Sequence, residues 1–169
     1  MSLKPSMGKR LLGVVTFILI IGCTSPSGSM EYAPDFSLES LTGELISLSQ
    51  FKGKIVLVDF WATWCPPCRQ SIPELVKLQE QYREDGLIIL GLSLDDPQQA
   101  NNEYLRAFVK HFKINYPILR ADLNVVKAYN GTVQMAIPTL FVVARDGKIA
   151  AQHVGFSPGA VEQSIKKLL

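Results

Sequence analysis

Two thiols three residues apart, in Trp64-Cys65-Pro66-Pro67-Cys68, have the layout of a dithiol that closes into a disulfide and reopens. The exchange needs a thiolate, and the flanking residues say where one would form. Upstream, Lys54-Ile-Val-Leu-Val-Asp-Phe-Trp61 is apolar, β-branched and aromatic, the composition of a strand buried on both faces. Downstream, Leu75, Leu78 and Tyr82 recur at helical spacing among Glu, Lys and Gln, so an amphipathic helix begins near the cysteines. Cys65 is thereby expected at a helix N-terminus, where unpaired N–H groups and the macrodipole lower a thiol pKa from about 8.5 towards the 3.5–7.5 range. Cys68, one turn further in, can attack a mixed disulfide formed by Cys65. The competing chemistry for this spacing is zinc, which normally takes four ligands, from a second C-x-x-C or a His pair. The chain has neither, and its only histidines, His111 and His153, are far apart, so no metal and no cofactor is expected.

The remaining elements must hold that strand-to-helix junction. Ala33–Leu38 and Leu45–Leu48, separated by Thr42-Gly43, read as a short antiparallel pair. Leu87–Leu94 is a second apolar run and a second central strand. Asp95-Asp96-Pro97 stops it, and reads as turn and helix-cap residues rather than a metal or acid/base pair. Tyr104, Leu105, Phe108, Val109 and Phe112 form the stripe of a helix packed on a sheet. Tyr116–Leu119 suggests a short strand, and residues 124–129 a helix. Thr139–Ala144 and Ile149–Val154 flank an Asp146-Gly147 turn and read as a hairpin. Val161, Ile165 and Leu168 line a final helix. The order predicts an α/β domain, a mixed sheet with helices on both sides.

Val58-Asp59-Phe60-Trp61-Ala62-Thr63-Trp64-Cys65-Pro66-Pro67-Cys68, then Pro73, then Ile137-Pro138-Thr139, resembles the thioredoxin superfamily, specifically its extracytoplasmic TlpA/ResA-like branch, from about Ala33 to Leu169. The resemblance implies a thioredoxin-like mixed central sheet with an N-terminal β extension and, between about Asp95 and Leu119, a central helix-strand insertion. It implies that Asp59 accepts and returns the proton of Cys68; the plainer alternative is a strand-end Asp making an ordinary hydrogen bond. A charge in an apolar strand is expensive unless paired or neutralised, which favours the first. It implies that Ile137-Pro138 is a loop lying against the disulfide, of the kind that carries a cis proline, with the Ile137 backbone pairing with an extended substrate. Trp64, Pro66, Ile137 and Pro138 would then form an apolar docking rim. Pro73 should kink its helix. Gly155 would lie at the rim of the groove, or serve only as a turn requiring positive φ. ResA-like and cytochrome-maturation members commonly place Glu three residues after the second cysteine. This chain has Ser71, with Glu74 one turn further along. The difference bears on a cytochrome-specific role and not on the dithiol chemistry.

Residues 1–22 read as a signal peptide: Lys4, Lys9 and Arg10 precede an apolar run from Leu11 to Gly22, too short for a comfortable span. Ile20-Ile21-Gly22-Cys23 resembles a bacterial lipobox, which implies cleavage before Cys23 and lipid attachment to it. An uncleaved anchor, or an ordinary signal peptide with an incidental Cys23, are the alternatives. Residues 23–32 would form a tether and 33–169 the domain. Every reading exports the domain, to a compartment where disulfides persist. Losing Lys4, Lys9 and Arg10 and no acid takes the formal charge from +2 to −1. The chain carries no basic stripe or aromatic-basic array, so no nucleic-acid partner is expected.

The expected activity is that of a membrane-tethered, extracytoplasmic, monomeric thiol-disulfide oxidoreductase. Its implied substrates are disulfides in exported proteins such as apocytochrome c, and its implied electron donor is a membrane thiol-electron transporter. Two other readings stand beside it. One is an exported thioredoxin-fold module that binds copper or a partner without turnover. The other is a thiol peroxidase, whose usual Pro-x-x-x-Thr-x-x-Cys motif is missing because Thr63 precedes Cys65 by only two residues.

Overall fold

Seven consecutive buried residues make β3 (Ile55–Trp61) the centre of the molecule. In this computed structural model, which describes Met1 and residues 31–169, β3 pairs in parallel with β4 (Leu87–Ser93) and antiparallel with β6 (Thr139–Val143). The edges are β5 (Ile118–Arg120), parallel to β4, and β7 (Ile149–Val154), antiparallel to β6, giving the order β5-β4-β3-β6-β7. The expected mixed sheet is present. The expected signal peptide, the lipobox-like segment with Cys23 and most of the expected tether lie outside the described residues. No helix among the described residues is long and apolar enough to cross a membrane.

Alternation along β3 sends its residues into two cores. Ile55, Leu57 and Trp61 face one side, against Ile72, Leu75 and Leu78 of α1 (Pro66–Tyr82), Leu105 of α2 (Asn102–Phe112) and Ile165 of α4 (Ala160–Lys166). Val56, Val58 and Phe60 face the other, where they meet Val125, Val126 and Tyr129 of α3 (Leu123–Asn130). The N-terminal pair, β1 (Ser37–Glu39) and β2 (Leu45–Ser47), covers the same side through Leu38 and Ile46. The expected β extension and the α2–β5 insertion are both in place.

Three expectations are corrected in detail. Tyr104, read as part of the buried stripe, is 52% exposed, because only Leu105 of that helix is fully buried and the sheet-facing stripe is narrower than the sequence suggests. The short strand begins two residues later than expected, at Ile118: Pro117 has no N–H to donate, and its carbonyl instead accepts from Gly91 N–H at 2.9 Å. Leu168 lies beyond the end of α4, yet still packs on the core. The helix α1 continues through Pro73 to Tyr82.

The first half of β4 reaches beyond the short β5, which pairs only with Gly91–Ser93. Gln79 of α1 serves that uncovered edge: its amide donates to Leu87 O at 3.1 Å and accepts from Ile89 N–H at 2.7 Å, with only 6% of the residue exposed. A glutamine inside an apolar helix face is thus a substitute for a missing strand. Gln79→Leu should strand both backbone groups in the core and lower unfolding stability by about 2–4 kcal/mol, measured by urea denaturation.

Candidate active site

The sheet delivers two chain segments to one edge. β3 ends at Trp61, and Ala62-Thr63-Trp64 leads to Cys65, the N-cap of α1, with Pro66 and Pro67 at the first helical positions. Proline suits that place because its missing N–H would have been unpaired and its φ is already helical. Cys65 and Cys68 are joined by a disulfide of 2.03 Å, and Cys65 Sγ accepts the Cys68 N–H at 3.2 Å. A thiolate at Cys65 therefore has an amide donor and the helix dipole already directed at it. Cys65 is 3% exposed and Cys68 1%, while Trp64 beside them is 64% exposed and Pro66 is also on the surface.

The second segment is the loop before β6. Because β6 runs antiparallel to β3, its first residue, Thr139, sits opposite Phe60, near the end of β3. That register brings the Ile137 carbonyl to 3.7 Å from Cys65 Sγ. The Ile137–Pro138 bond is cis. Thr139 Oγ1 donates to Ala136 O at 2.6 Å, and Gly155 N–H donates to Pro138 O at 2.8 Å, so the end of β7 secures the same loop. Gly155 has φ +78°, which favours glycine there.

Asp59 lies beneath, pointing to the same side of β3 as Leu57 and Trp61, the side whose buried cluster contains Cys65 and Cys68. It is 2% exposed, its Oδ1 has no hydrogen-bond partner, and none of the ion pairs among the described residues includes it. Burial pushes its carboxyl up from 3.8 to about 7. Burial, with the Asp59 carboxylate nearby, also drives the Tyr116 phenol well above its ordinary value. The residue paired with Asp59 on β4 is Gly91, where a Cβ would lie 2.5 Å from Ile118 Cδ1 and 3.1 Å from Trp61 Nε1. No side chain can enter from that position to neutralise the acid.

Of the residues singled out from the sequence, Cys65, Cys68, Trp64, Pro66, Ile137 and Pro138 gather around the disulfide, with Asp59 behind it. Cys23 lies outside the described residues. Glu74 instead accepts the Gly159 N–H at 3.1 Å, at the N-cap of α4. Asp95, assigned turn and cap work from the sequence, is instead 5% exposed with its carboxylate holding Thr63 of the Cys65 loop. A cavity of about 510 Å³ lies at the opposite end of β3 beside Lys54 and Arg145. The disulfide edge carries instead a cleft of about 430 Å³ lined by Thr63, Trp64, Asp95, Asp96 and Tyr104.

Comparison with known proteins agrees with this geometry. Residues 30–152 match the AhpC/TSA family. The chain is 35% identical over 161 residues to the thioredoxin-like protein YneN of Bacillus subtilis, covering 88% of this chain and 92% of that one. It is 32% identical over 163 residues to the thiol-disulfide oxidoreductase ResA of Bacillus cereus, covering 94% and 90%. A crystal structure described as a candidate thiol:disulfide interchange protein DsbE from Chlorobium tepidum superposes with a TM-score of 0.71 at 33% identity, covering 82% of this chain and 95% of that one.

The raised carboxyl of Asp59 links stability to pH. Its folded value lies above its unfolded one, so the folded state holds the extra proton between about pH 3.8 and 7, and stability falls as pH rises through that window. Asp59→Asn removes the titration. Its stability relative to the parent should therefore rise with pH, by up to about 4 kcal/mol between pH 4 and pH 8. Urea unfolding of the oxidised protein at both pH values measures this; an equal difference at the two would mean that Asp59 ionises normally.

Proposed function

This chain belongs to the AhpC/TSA family and to its ResA-like thiol-disulfide oxidoreductases, and we propose that it reduces disulfides in exported proteins from a lipid-anchored position outside the cytoplasm. The observation that carries the reading is the Cys65–Cys68 disulfide at the N-terminus of α1, with the Ile137 carbonyl at 3.7 Å on its outer side and the protonatable Asp59 on its inner side.

In the forward direction the reduced enzyme begins as Cys65 thiolate and Cys68 thiol. The thiolate attacks one sulfur of the substrate disulfide, the other leaves as a thiolate and takes up a proton, and a mixed disulfide joins Cys65 to the substrate. Cys68 then gives its proton to the Asp59 carboxylate and attacks Cys65 Sγ, expelling the second substrate thiolate. The product is the reduced substrate and the Cys65–Cys68 disulfide, and Asp59 releases its proton afterwards. An acid near 7 can both accept and release that proton close to neutrality. Two electrons and one proton from a reduced dithiol, supplied by a membrane thiol-electron transporter, restore the Cys65 thiolate and the Cys68 thiol, and the second proton of the donor passes to water.

Substrate docking falls to Trp64, Pro66, Ile137 and Pro138: an exposed indole and proline flank the disulfide, and the Ile137 backbone beside it can pair with an extended chain. Apocytochrome c is the substrate class we favour, in keeping with the resemblance to ResA-like proteins. Cys23 is the proposed lipid attachment site, and the domain acts as a monomer. A copper or partner carrier would bind without turnover, and a peroxidase would consume peroxide; metal titration of the reduced chain and a peroxide assay separate these from the reductase.

Two measurements test the proposal. Cys65→Ser should abolish disulfide reduction, and Cys68→Ser should accumulate a mixed disulfide with substrate, visible on non-reducing gels; a fully active Cys65→Ser chain would refute the mechanism. Equilibrium titration of the Cys65–Cys68 couple against a thiol buffer should give a potential near thioredoxin's, about −270 mV, whereas a value near DsbA's, about −120 mV, would make the protein a disulfide donor.

A further inference from the structure

Asp95 presents a buried carboxylate whose role the chemistry above leaves unexplained. Its position after β4, followed by Asp96-Pro97, suggests turn and cap work, but Asp96 does that work. Asp96 Oδ1 accepts Gln98 N–H at 2.9 Å and its carbonyl accepts Gln99 and Ala100 N–H, while Asn101 caps α2. The Asp95 carboxylate is turned the other way. Its two oxygens accept the Thr63 N–H at 3.2 and 3.1 Å, Oδ1 takes the Thr63 hydroxyl at 2.7 Å, and Oδ2 takes the Ser93 hydroxyl at 2.8 Å. Burying a carboxylate is expensive unless such donors meet it, and two of these three donor groups belong to the loop that leads into Cys65.

The mount for this clamp is rigid. Ser93 Oγ accepts the Asp95 N–H at 3.2 Å, and the Arg120 guanidinium on β5 donates to Asp95 O at 3.1 Å and to Ala100 O. Arg120 also donates to Asn102 Oδ1 at 3.0 Å. Leu94 N–H donates to Trp61 O at 2.8 Å, and Cys65 N–H closes the turn onto Ala62 O at 3.2 Å. The loop of Ala62, Thr63 and Trp64 is therefore referenced to β4 and β5, outside the strand and helix it joins.

We propose that Asp95 is a positioning residue for disulfide exchange, acting through Thr63 to keep Cys65 at the N-terminus of α1 when its bond to Cys68 is open. In the oxidised state the disulfide itself ties Cys65 to α1. Reduction removes that tie, and the thiolate then keeps its amide donor and the helix dipole through the Arg69 N–H bond to Cys65 O at 3.1 Å and through the loop that holds its place. The inference rests on the thiol-disulfide reading given above.

The test uses the full-length chain reduced with dithiothreitol. Two quantities are measured: the pH midpoint of Cys65 alkylation by iodoacetamide, located by peptide mass, and the rate of insulin reduction. Asp95→Ala should raise the midpoint and slow insulin reduction by on the order of tenfold, as expected when a reacting group is displaced. Asp95→Asn retains an acceptor for Thr63 and should hold both quantities near the parent's. Thr63→Val removes a single hydroxyl and should move them in the same direction as Asp95→Ala by less, which decides the matter if Asp95→Ala does not fold. Variants that lose thermal stability alone, with midpoint and rate unchanged, overturn the inference. So does a midpoint that falls in both Asp95→Asn and Asp95→Ala, because Asp95 would then act by its charge. A parent chain that leaves insulin intact counts against the proposed reductase activity, and the alkylation midpoints still decide the role of Asp95.

Discussion

Burying β3 on both faces is the constraint on which the rest depends. A strand with no solvent face must have partners on both edges and cover on both sides, and each partner brings its own ends to a fixed place. β4, parallel to β3, carries its C-terminal end to the same edge, and with it Asp95. β6, antiparallel, carries its N-terminal end there, and with it Ile137 and Pro138. The helix that follows β3 must start at that edge too, so the Cys68 N–H and the positive end of the helix dipole lie at the disulfide. The disulfide thus sits where the C-terminal end of a central strand, a helix N-terminus and the loop of an antiparallel neighbour converge.

The same edge joins two opposite electrostatic tendencies. At the N-terminus of α1 the Cys68 N–H and the helix dipole favour an anion on Cys65. Behind it, desolvation disfavours an anion on Asp59, which has neither a cation nor a full set of donors, and Gly91 leaves no side chain on β4 to supply one. Negative charge is therefore favoured at the outer thiol and resisted at the inner acid, which keeps a proton available beside the dithiol near neutral pH. The arrangement is destabilising when Asp59 is ionised. The apolar contacts of β3 with both cores oppose that cost, so stability and proton transfer are set by the same buried strand.

Much of this was legible in the sequence because it depended on local pattern. The apolar run broken only by Asp59 marked β3, the C-P-P-C with its downstream stripe marked the helix N-terminus, and Asp146-Gly147 marked the last hairpin. Ile137-Pro138 and Asp59 were legible through resemblance. What escaped depends on pairing between distant segments. Gln79 looked like one more polar residue on α1 until the short β5 exposed the edge it serves. Gly91 carried no signal, since its meaning lies in Trp61 and Ile118. Asp95 looked like a cap because Asp96 and Pro97 follow it, and only the parallel register of β4 with β3 puts its carboxylate on Thr63. A carboxylate ending the strand beside the one that carries the motif is the pattern that could have pointed to it.

The entry of the chain into the domain adds a geometric consequence. Ile149 N–H donates to Glu31 O and Ala33 N–H to Gly147 O, so residues 31–33 lie against the β6–β7 turn. That turn adjoins the start of β3, where Gly53 N–H donates to Arg145 O, whereas the disulfide follows the end of β3. Seven residues of strand separate the two ends by about 20 Å. Residues 31–33 are thus fastened at the end of the domain remote from the disulfide, and Trp64, Pro66 and Ile137 lie at the other. The reactive edge could then meet partners without detaching the N-terminal residues, because the hydrogen bonds that fasten them involve none of the groups that hold Cys65.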